Sequence, residues 1–312
     1  MKLKYIDGLM GFVIGDAMGV PVEFKSREEL LKKPVTKMIG NGTHDVPPGT
    51  WSDDTSMMIA TIDSINAKNG IDYYDIALKF SAFKNHAQYT PDNEVFDIGN
   101  TCARAIDKFE ENHDDPLTCG MSDYNSNGNG SLMRILPIAY YAIEKHLKDN
   151  EVLELVSNIS KITHAHEISI MGCYIYVRFA MFLLNGKDKY SAYSMTKCVD
   201  YTSFSEETQK CYERLLKEDI NKLTINDIKS TGYIVDTLEA CLWVLLQSEN
   251  YKEAIIGAIN LGDDTDTIGA LTGGLAGIIY GYDFIPEEWK EQIVRKDYLL
   301  DIFEEFSENK YE

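Results

Sequence analysis

Residues 261–281 read LGDDTDTIGALTGGLAGIIYG, so Asp263, Asp264 and Asp266 fall within four positions, directly before a glycine-rich apolar run. Like charges held so close must either protonate or find a cation. A second Asp-Asp-Thr, Asp53-Asp54-Thr55, lies in WSDDTSMMIA at 51–60 and again precedes an apolar run. One copy has an ordinary explanation: Asp, Ser and Thr at a helix start cap free backbone N–H groups and favour the positive end of the helix dipole. The 263–266 cluster exceeds that need, because a single oxygen satisfies an N-cap. Carboxylates and hydroxyls with no His or Cys nearby select a hard cation, Mg²⁺ or its mimic Mn²⁺, over zinc. Facing each other, the two clusters would hold two metals about 3.5–4 Å apart, able to orient a substrate diol and activate water.

Three further segments carry candidate groups. In NSNGNGSLMRILPIAYY at 125–141, Gly128 and Gly130 free the backbone to approach a ligand. The next helix is expected to begin at Ser131, and its N-terminus suits a phosphate or pyrophosphate. Without Gly-Lys-Ser/Thr this is no P-loop, and an ordinary flexible loop explains it equally well. GDAMGVPVEF at 15–24 breaks a first helix at Gly19 and Pro21 and leaves Glu23 behind it, as a solvated loop carboxylate or as a site group. THAHEISIMG at 163–172 supplies His164 and His166, two apart and so unable to share a helical face. One at most is expected to serve a site, leaving the other as a cap or surface residue.

The elements that must position these groups read as helices. TSMMIATIDSINAK places Met58, Ile62 and Ile65 on one stripe, and ISIMGCYIYVRFAMFLLNG repeats apolar residues every three to four positions before stopping at Asn185-Gly186. GYIVDTLEACLWVLLQS and YKEAIIGAINLG follow the same rule, and strand-like alternation is scarce. About a dozen helices in a single all-α domain over 1–312 are expected, with the polar stretch near 187–230 as a peripheral helix and its loops. No fixed-period repeat or Pro/Gly-rich linker divides the chain.

Composition narrows the function. The chain has 312 residues, 44% of them hydrophobic, enough for a sizeable core. A net charge of -20 argues against general nucleic-acid binding, which needs Lys and Arg facing phosphates. The apolar N-terminal stretch is interrupted by Asp7 and Asp16, and no run reaches roughly 18 uninterrupted apolar residues, so neither a signal peptide nor a membrane span is expected. Six cysteines without CxxC spacing fit reduced, mostly buried thiols and a cytoplasmic setting. The protein is expected to be a monomer.

In order along nearly the whole chain, GFVIGDAMGVPVEF, PPGTWSDDTSMM, GNGSLMR, THAHE, GYIVDTLEACLW and NLGDDTDTIGALTGGLAGIIYG resemble the motifs of the ADP-ribosylglycohydrolase family. The resemblance implies a compact all-α fold around a central two-metal cleft, and Mg²⁺-dependent removal of ADP-ribose from a modified protein or small molecule. It assigns metal ligation to Ser52, Asp53, Asp54, Asp264, Asp266 and Thr267, with Ser52 replacing the commoner threonine and Asp263 standing where many members have glycine. By the same carry-over Glu23 sits beside the scissile bond, and Asp54 or Asp266 accepts a proton from water. Asn129, Gly130 and Ser131 cradle the diphosphate, His164 lines the cleft, and Tyr233 stacks on adenine. Arginine is the first expectation for the linkage, with serine, a small-molecule acceptor or a non-catalytic ADP-ribose-binding role as alternatives. A diphosphate-binding isoprenoid synthase fits less well, since its acids recur at i, i+1 and i+4 and position 57 is Met57.

Overall fold

A computed structural model describes residues 4–112 and 115–308; residues 1–3 at the basic N-terminus, 113–114 and 309–312 lie outside the described residues. Among the described residues there are sixteen α-helices, and β-pairing is confined to isolated bridges such as Met121–His164 and Gly128–Tyr233. The helical periodicity therefore carries through to an all-α architecture.

The core is organised on two helices far apart in sequence, Tyr5–Gly19 and Thr265–Tyr280. They run antiparallel, Gly8 meeting Gly274 and Gly19 meeting Thr265, and pack closely because glycines about four apart place bare backbone on one face of each. A Cβ added to Gly15 would lie 2.0 Å from the Gly269 carbonyl oxygen, and one on Gly273 would lie 2.3 Å from that of Gly11. Only glycine permits such an approach. Around this pair the Asp53–Lys68 helix is buried well beyond its expected stripe, Ile59 joining Met58, Ile62 and Ile65 in full burial. It closes on Asn69 in the left-handed conformation, φ 50°.

The Tyr5–Val22 and Glu167–Leu184 segments are long and apolar enough to cross a membrane by length and composition, which tolerates Asp7 and Asp16. In this fold 89% of each is buried, and that burial accounts for their composition. The latter helix ends at Asn185, with Gly186 at φ 81°, at its expected stop.

The polar stretch differs from expectation. It divides into three short helices, Lys189–Lys197, Glu206–Cys211 and Glu213–Lys217, followed by two 3₁₀ turns. New starts are enforced by capping groups: Asp188 accepts from the Tyr190 and Ser191 N–H groups, Ser205 from Thr208. Of the six free cysteines, four are buried, Cys198 is exposed and Cys211 is partly covered.

Candidate metal and ligand site

The two Asp-Asp-Thr motifs meet because their threonines are tied to the same helix end. Thr55 Oγ1 donates to Asp16 Oδ2 at 2.6 Å, and Thr265 Oγ1 donates to the Gly19 carbonyl at 2.8 Å. Asp16 also accepts from the Ser52 and Thr55 N–H groups, both at 3.1 Å. Two helix N-termini are thereby fixed to the C-terminal end of the Tyr5–Gly19 helix. Across the junction Thr267 Oγ1 donates to Asp54 Oδ1 at 3.4 Å, so the separate acidic segments share one floor.

That floor belongs to a cavity of about 360 Å³ whose acidic lining is Glu23, Asp53, Asp54, Asp97, Asp264 and Asp266. One oxygen each from Glu23, Asp264 and Asp266 falls within 4.8 Å of the others. Asp54 Oδ2 and Asp266 Oδ1 are buried without a hydrogen-bond partner. Burial, reinforced by Asp97, raises the Asp53 carboxyl well above its ordinary range; burial with Asp16 does so for Asp54, and burial with Glu23 for Asp266. Unpartnered oxygens, mutual repulsion and an all-oxygen donor set fit a hard divalent cation. Asp53, Asp54, Asp264, Asp266 and Thr267 are brought together as the motifs suggest. Ser52 lies at the same helix start, where its hydroxyl caps the helix by accepting from the Asp54 N–H at 3.3 Å, and it is absent from the cavity lining.

Glu23 is no solvated loop carboxylate. It follows the 3₁₀ turn Val20–Val22, is only 5% exposed, and is hydrogen-bonded to His44 Nε2. Burial pushes its carboxyl up to about 7 against the opposing pull of His44, and the same bond raises the His44 imidazole. Asp97 completes a second cluster with these two, its carboxyl raised by burial. Beside them Phe24 adopts φ 65° and is 69% exposed at the cavity edge. Its N–H donates to the Asp263 carbonyl at 2.7 Å, while the Asp263 N–H donates to Lys25 O at 2.8 Å. Asp263 has φ 59°, which explains why glycine suits this position, and its exposed side chain stands outside the cavity lining.

The opposite wall is the glycine loop. Asn129 Nδ2 donates to Asp264 Oδ2 at 2.7 Å and to Thr237 Oγ1 at 3.0 Å, so the loop is joined directly to the acidic floor. Gly128, Asn129, Gly130 and His164 line the cavity. Ser131 does not: its hydroxyl turns into the core against Cys173 Sγ and Ser160 Oγ. The helix that starts there, with Ser131 as its N-cap, is a 3₁₀ turn and not an α-helix. That turn, Leu132–Arg134, precedes the Leu136–Glu144 helix, because Pro137 lacks an N–H and fits only a first turn. His164 is 1% exposed, and burial with the Arg134 charge lowers its imidazole to about 3, so it stays neutral. His166 instead caps the Glu167–Leu184 helix, accepting from the Ile168 N–H at 3.2 Å. Tyr233 pairs through its backbone with Gly128; its half-buried ring is absent from the cavity lining, which takes Gly232 instead.

Sequence reasoning missed three residues. Asp16 had a signal, being a carboxylate inside a helix whose apolar run is otherwise interrupted only by Asp7. His44 and Asp97 had none, since both occupy irregular segments where spacing implies no partner.

Known proteins resemble the chain along nearly its whole length. The chain is 31% identical over 295 residues to the ADP-ribosyl-[dinitrogen reductase] glycohydrolase of Rhodospirillum rubrum, covering 94% of this chain and 91% of that one. It is 29% identical over 303 residues to the ADP-ribosylarginine hydrolase Tri1 of Serratia proteamaculans, covering 95% and 77% respectively. A solved structure described as an ADP-ribosylglycohydrolase-related protein complex superposes with a TM-score of 0.82 at 25% identity, over 98% of this chain and 97% of that one. With the family's own sequence pattern matching residues 2–312, the chain belongs to the ADP-ribosylglycohydrolase family and is an enzyme of that class.

Proposed function

We propose that this enzyme hydrolyses the bond between ADP-ribose and an arginine side chain of a protein, in a reaction dependent on Mg²⁺ or Mn²⁺. The observation that carries the reading is the pairing of unpartnered Asp54 and Asp266 oxygens with a glycine loop across one cavity. Two relatives carry names specifying ADP-ribosylarginine or an ADP-ribosylated protein. The rim supports arginine over serine: the exposed Phe24 ring and the nearby Asp97 carboxylate offer an aromatic face and negative charge, which suit a planar cationic guanidinium. A serine acceptor would use neither.

Asp53, Asp54, Asp264, Asp266 and Thr267 would hold two divalent cations, which supply Lewis acidity to a ribose diol and to water. The chain's own groups do the rest. The glycine loop orients the diphosphate through bare backbone, and Asn129 keeps that loop in register with Asp264. Water adds to C1″ as the C1″–N bond to the guanidino group breaks, through an oxocarbenium-like transition state. Asp54 or Asp266 takes the proton released by water, and Glu23, buried and hydrogen-bonded to His44, returns one to the leaving nitrogen.

Incubation with arginine-linked, serine-linked and small-molecule ADP-ribosyl substrates tests this. Release of ADP-ribose from the arginine conjugate, lost on chelation and restored by Mg²⁺ or Mn²⁺, is expected. Cleavage of the serine conjugate alone would overturn the acceptor, and no release from any substrate would favour a binding role.

A further inference from the structure

Arg134 is fully buried, yet among the described residues it forms no ion pair. A buried charge so placed is costly and must be met by dipoles. Its guanidinium donates to the Gly130 carbonyl, to Ile159 O at 3.3 Å and to Thr163 Oγ1 at 2.7 Å, and lies 4.8 Å from the Phe80 ring centroid. The cation thus sits directly behind the glycine loop and grips it.

Thr163 carries this arrangement one residue further. Its Oγ1 lies 2.8 Å from His164 Nδ1. A guanidinium can only donate, so Thr163 spends a lone pair on Arg134 and keeps its own proton for another acceptor. The nearby positive charge also favours a lone pair, not an N–H, on the side of the imidazole facing it. Both effects leave Nδ1 bare and put the proton of the neutral ring on Nε2. That nitrogen faces the loop: a Cβ built on Gly130 would lie 3.4 Å from it, and one on Gly128 3.9 Å.

We propose that Thr163 is a positioning residue that couples Arg134 to His164, fixing the Nε2–H tautomer as a donor to a diphosphate oxygen of ADP-ribose on the Gly128–Gly130 loop. This rests on the ADP-ribose reading for its ligand, but the tautomer is a property of the free protein. Because His164 remains neutral, the donor persists across the physiological range and contributes direction without charge. The remaining attraction for the diphosphate comes from Arg134 behind the loop.

The test uses ¹⁵N-histidine-labelled full-length protein. Long-range ¹⁵N–¹H correlation spectra of the ligand-free form should show His164 protonated at Nε2 and bare at Nδ1. Thr163→Val, which keeps shape and removes the hydroxyl, should shift the ring toward Nδ1–H or a mixture and weaken binding of free ADP-ribose about tenfold in calorimetry. Thr163→Ser should restore both, and Thr163→Ala, which also removes the hydroxyl, is the readable variant should Thr163→Val fail to fold. A wild-type Nδ1–H ring overturns the positioning role, as does a Thr163→Val protein with unchanged tautomer and affinity. If wild type shows the Nε2–H ring but does not bind free ADP-ribose, the ligand assignment is overturned while the tautomer relay stands.

Discussion

The two walls of the cavity solve opposite electrostatic problems by opposite means. The floor formed by Asp53, Asp54, Asp264 and Asp266 is unfinished without a cation, since Asp54 Oδ2 and Asp266 Oδ1 are buried with nothing to accept from. The glycine loop instead carries its own positive charge, Arg134, sealed in the core with its two terminal nitrogens donating to carbonyls and a hydroxyl and only Nε left without a partner. The difference teaches that one wall is governed by what is dissolved around the protein and the other by packing. Chelators and pH should act on the first, and volume changes on the second.

The sharpest way to break this division is Asp54→Asn. It should lower kcat about a hundred- to a thousandfold in the Mg²⁺-dependent assay. It should also raise the metal-free melting temperature, since it removes a repelling buried carboxylate, while leaving free ADP-ribose bound on the glycine loop. A variant that lost ADP-ribose binding and kept its Mg²⁺ response would merge the two walls into one.

Gly130→Ala acts on the other side. The new Cβ would lie 2.7 Å from Cys102 Sγ and 2.9 Å from His164 Cε1, so the ring must move. KM for the ADP-ribosyl substrate should rise about tenfold while the Mg²⁺ concentration needed for half-maximal activity stays unchanged. A shift in the Mg²⁺ requirement as large as that in KM would show that Asn129 transmits loop movement to Asp264.

The smallest effect sharpens the comparison by pH. Burial raises the carboxyl of Asp16 to about 6 from an ordinary 3.8, and those of Asp53, Asp54 and Asp266 are raised as well. The metal-free fold therefore binds more protons than the unfolded chain, so this contribution to stability is complete below the unfolded value and is lost as pH rises through the folded ones. A divalent cation competes with those protons. Saturating Mg²⁺ should raise the melting temperature by roughly 5 °C more at pH 8 than at pH 5. Equal shifts at both pH values, read by calorimetry, would mean that the acidic floor does not take up the metal.

What was legible in the sequence follows the same division. Two Asp-Asp-Thr segments before apolar runs announced themselves by charge placed where burial was inevitable, and the helical periods of their neighbours fixed the fold class. Side-chain direction was not legible. Ser52 and Ser131 occupy motif positions, yet one hydroxyl caps a helix and the other turns into the core. A hydroxyl is small enough to serve either purpose, and sequence spacing does not record which. His44 and Asp97 reach Glu23 from irregular segments whose course depends on what they pack against. Arg134 lay in a quoted motif, but nothing in GNGSLMR foretells that its charge is buried behind the glycines.

The bare contact between the Tyr5–Gly19 and Thr265–Tyr280 helices has a consequence for how this catalyst can change. Asp16 and Thr265 sit at the end of that contact, where a Cβ on Gly19 would meet the Asp266 Cα at 2.4 Å. The seat of the Asp264–Asp266 segment is thus gauged by the thickness of two polypeptide backbones, a dimension with no rotamers to adjust and no methyl group to trim, and the Asp53–Asp54 segment is held to the same helix end by the buried Asp16 carboxylate. Gradual drift in core volume cannot retune it. New substrates must be reached by altering the rim, through Phe24, His44 and Asp97, over a floor whose dimensions are effectively frozen.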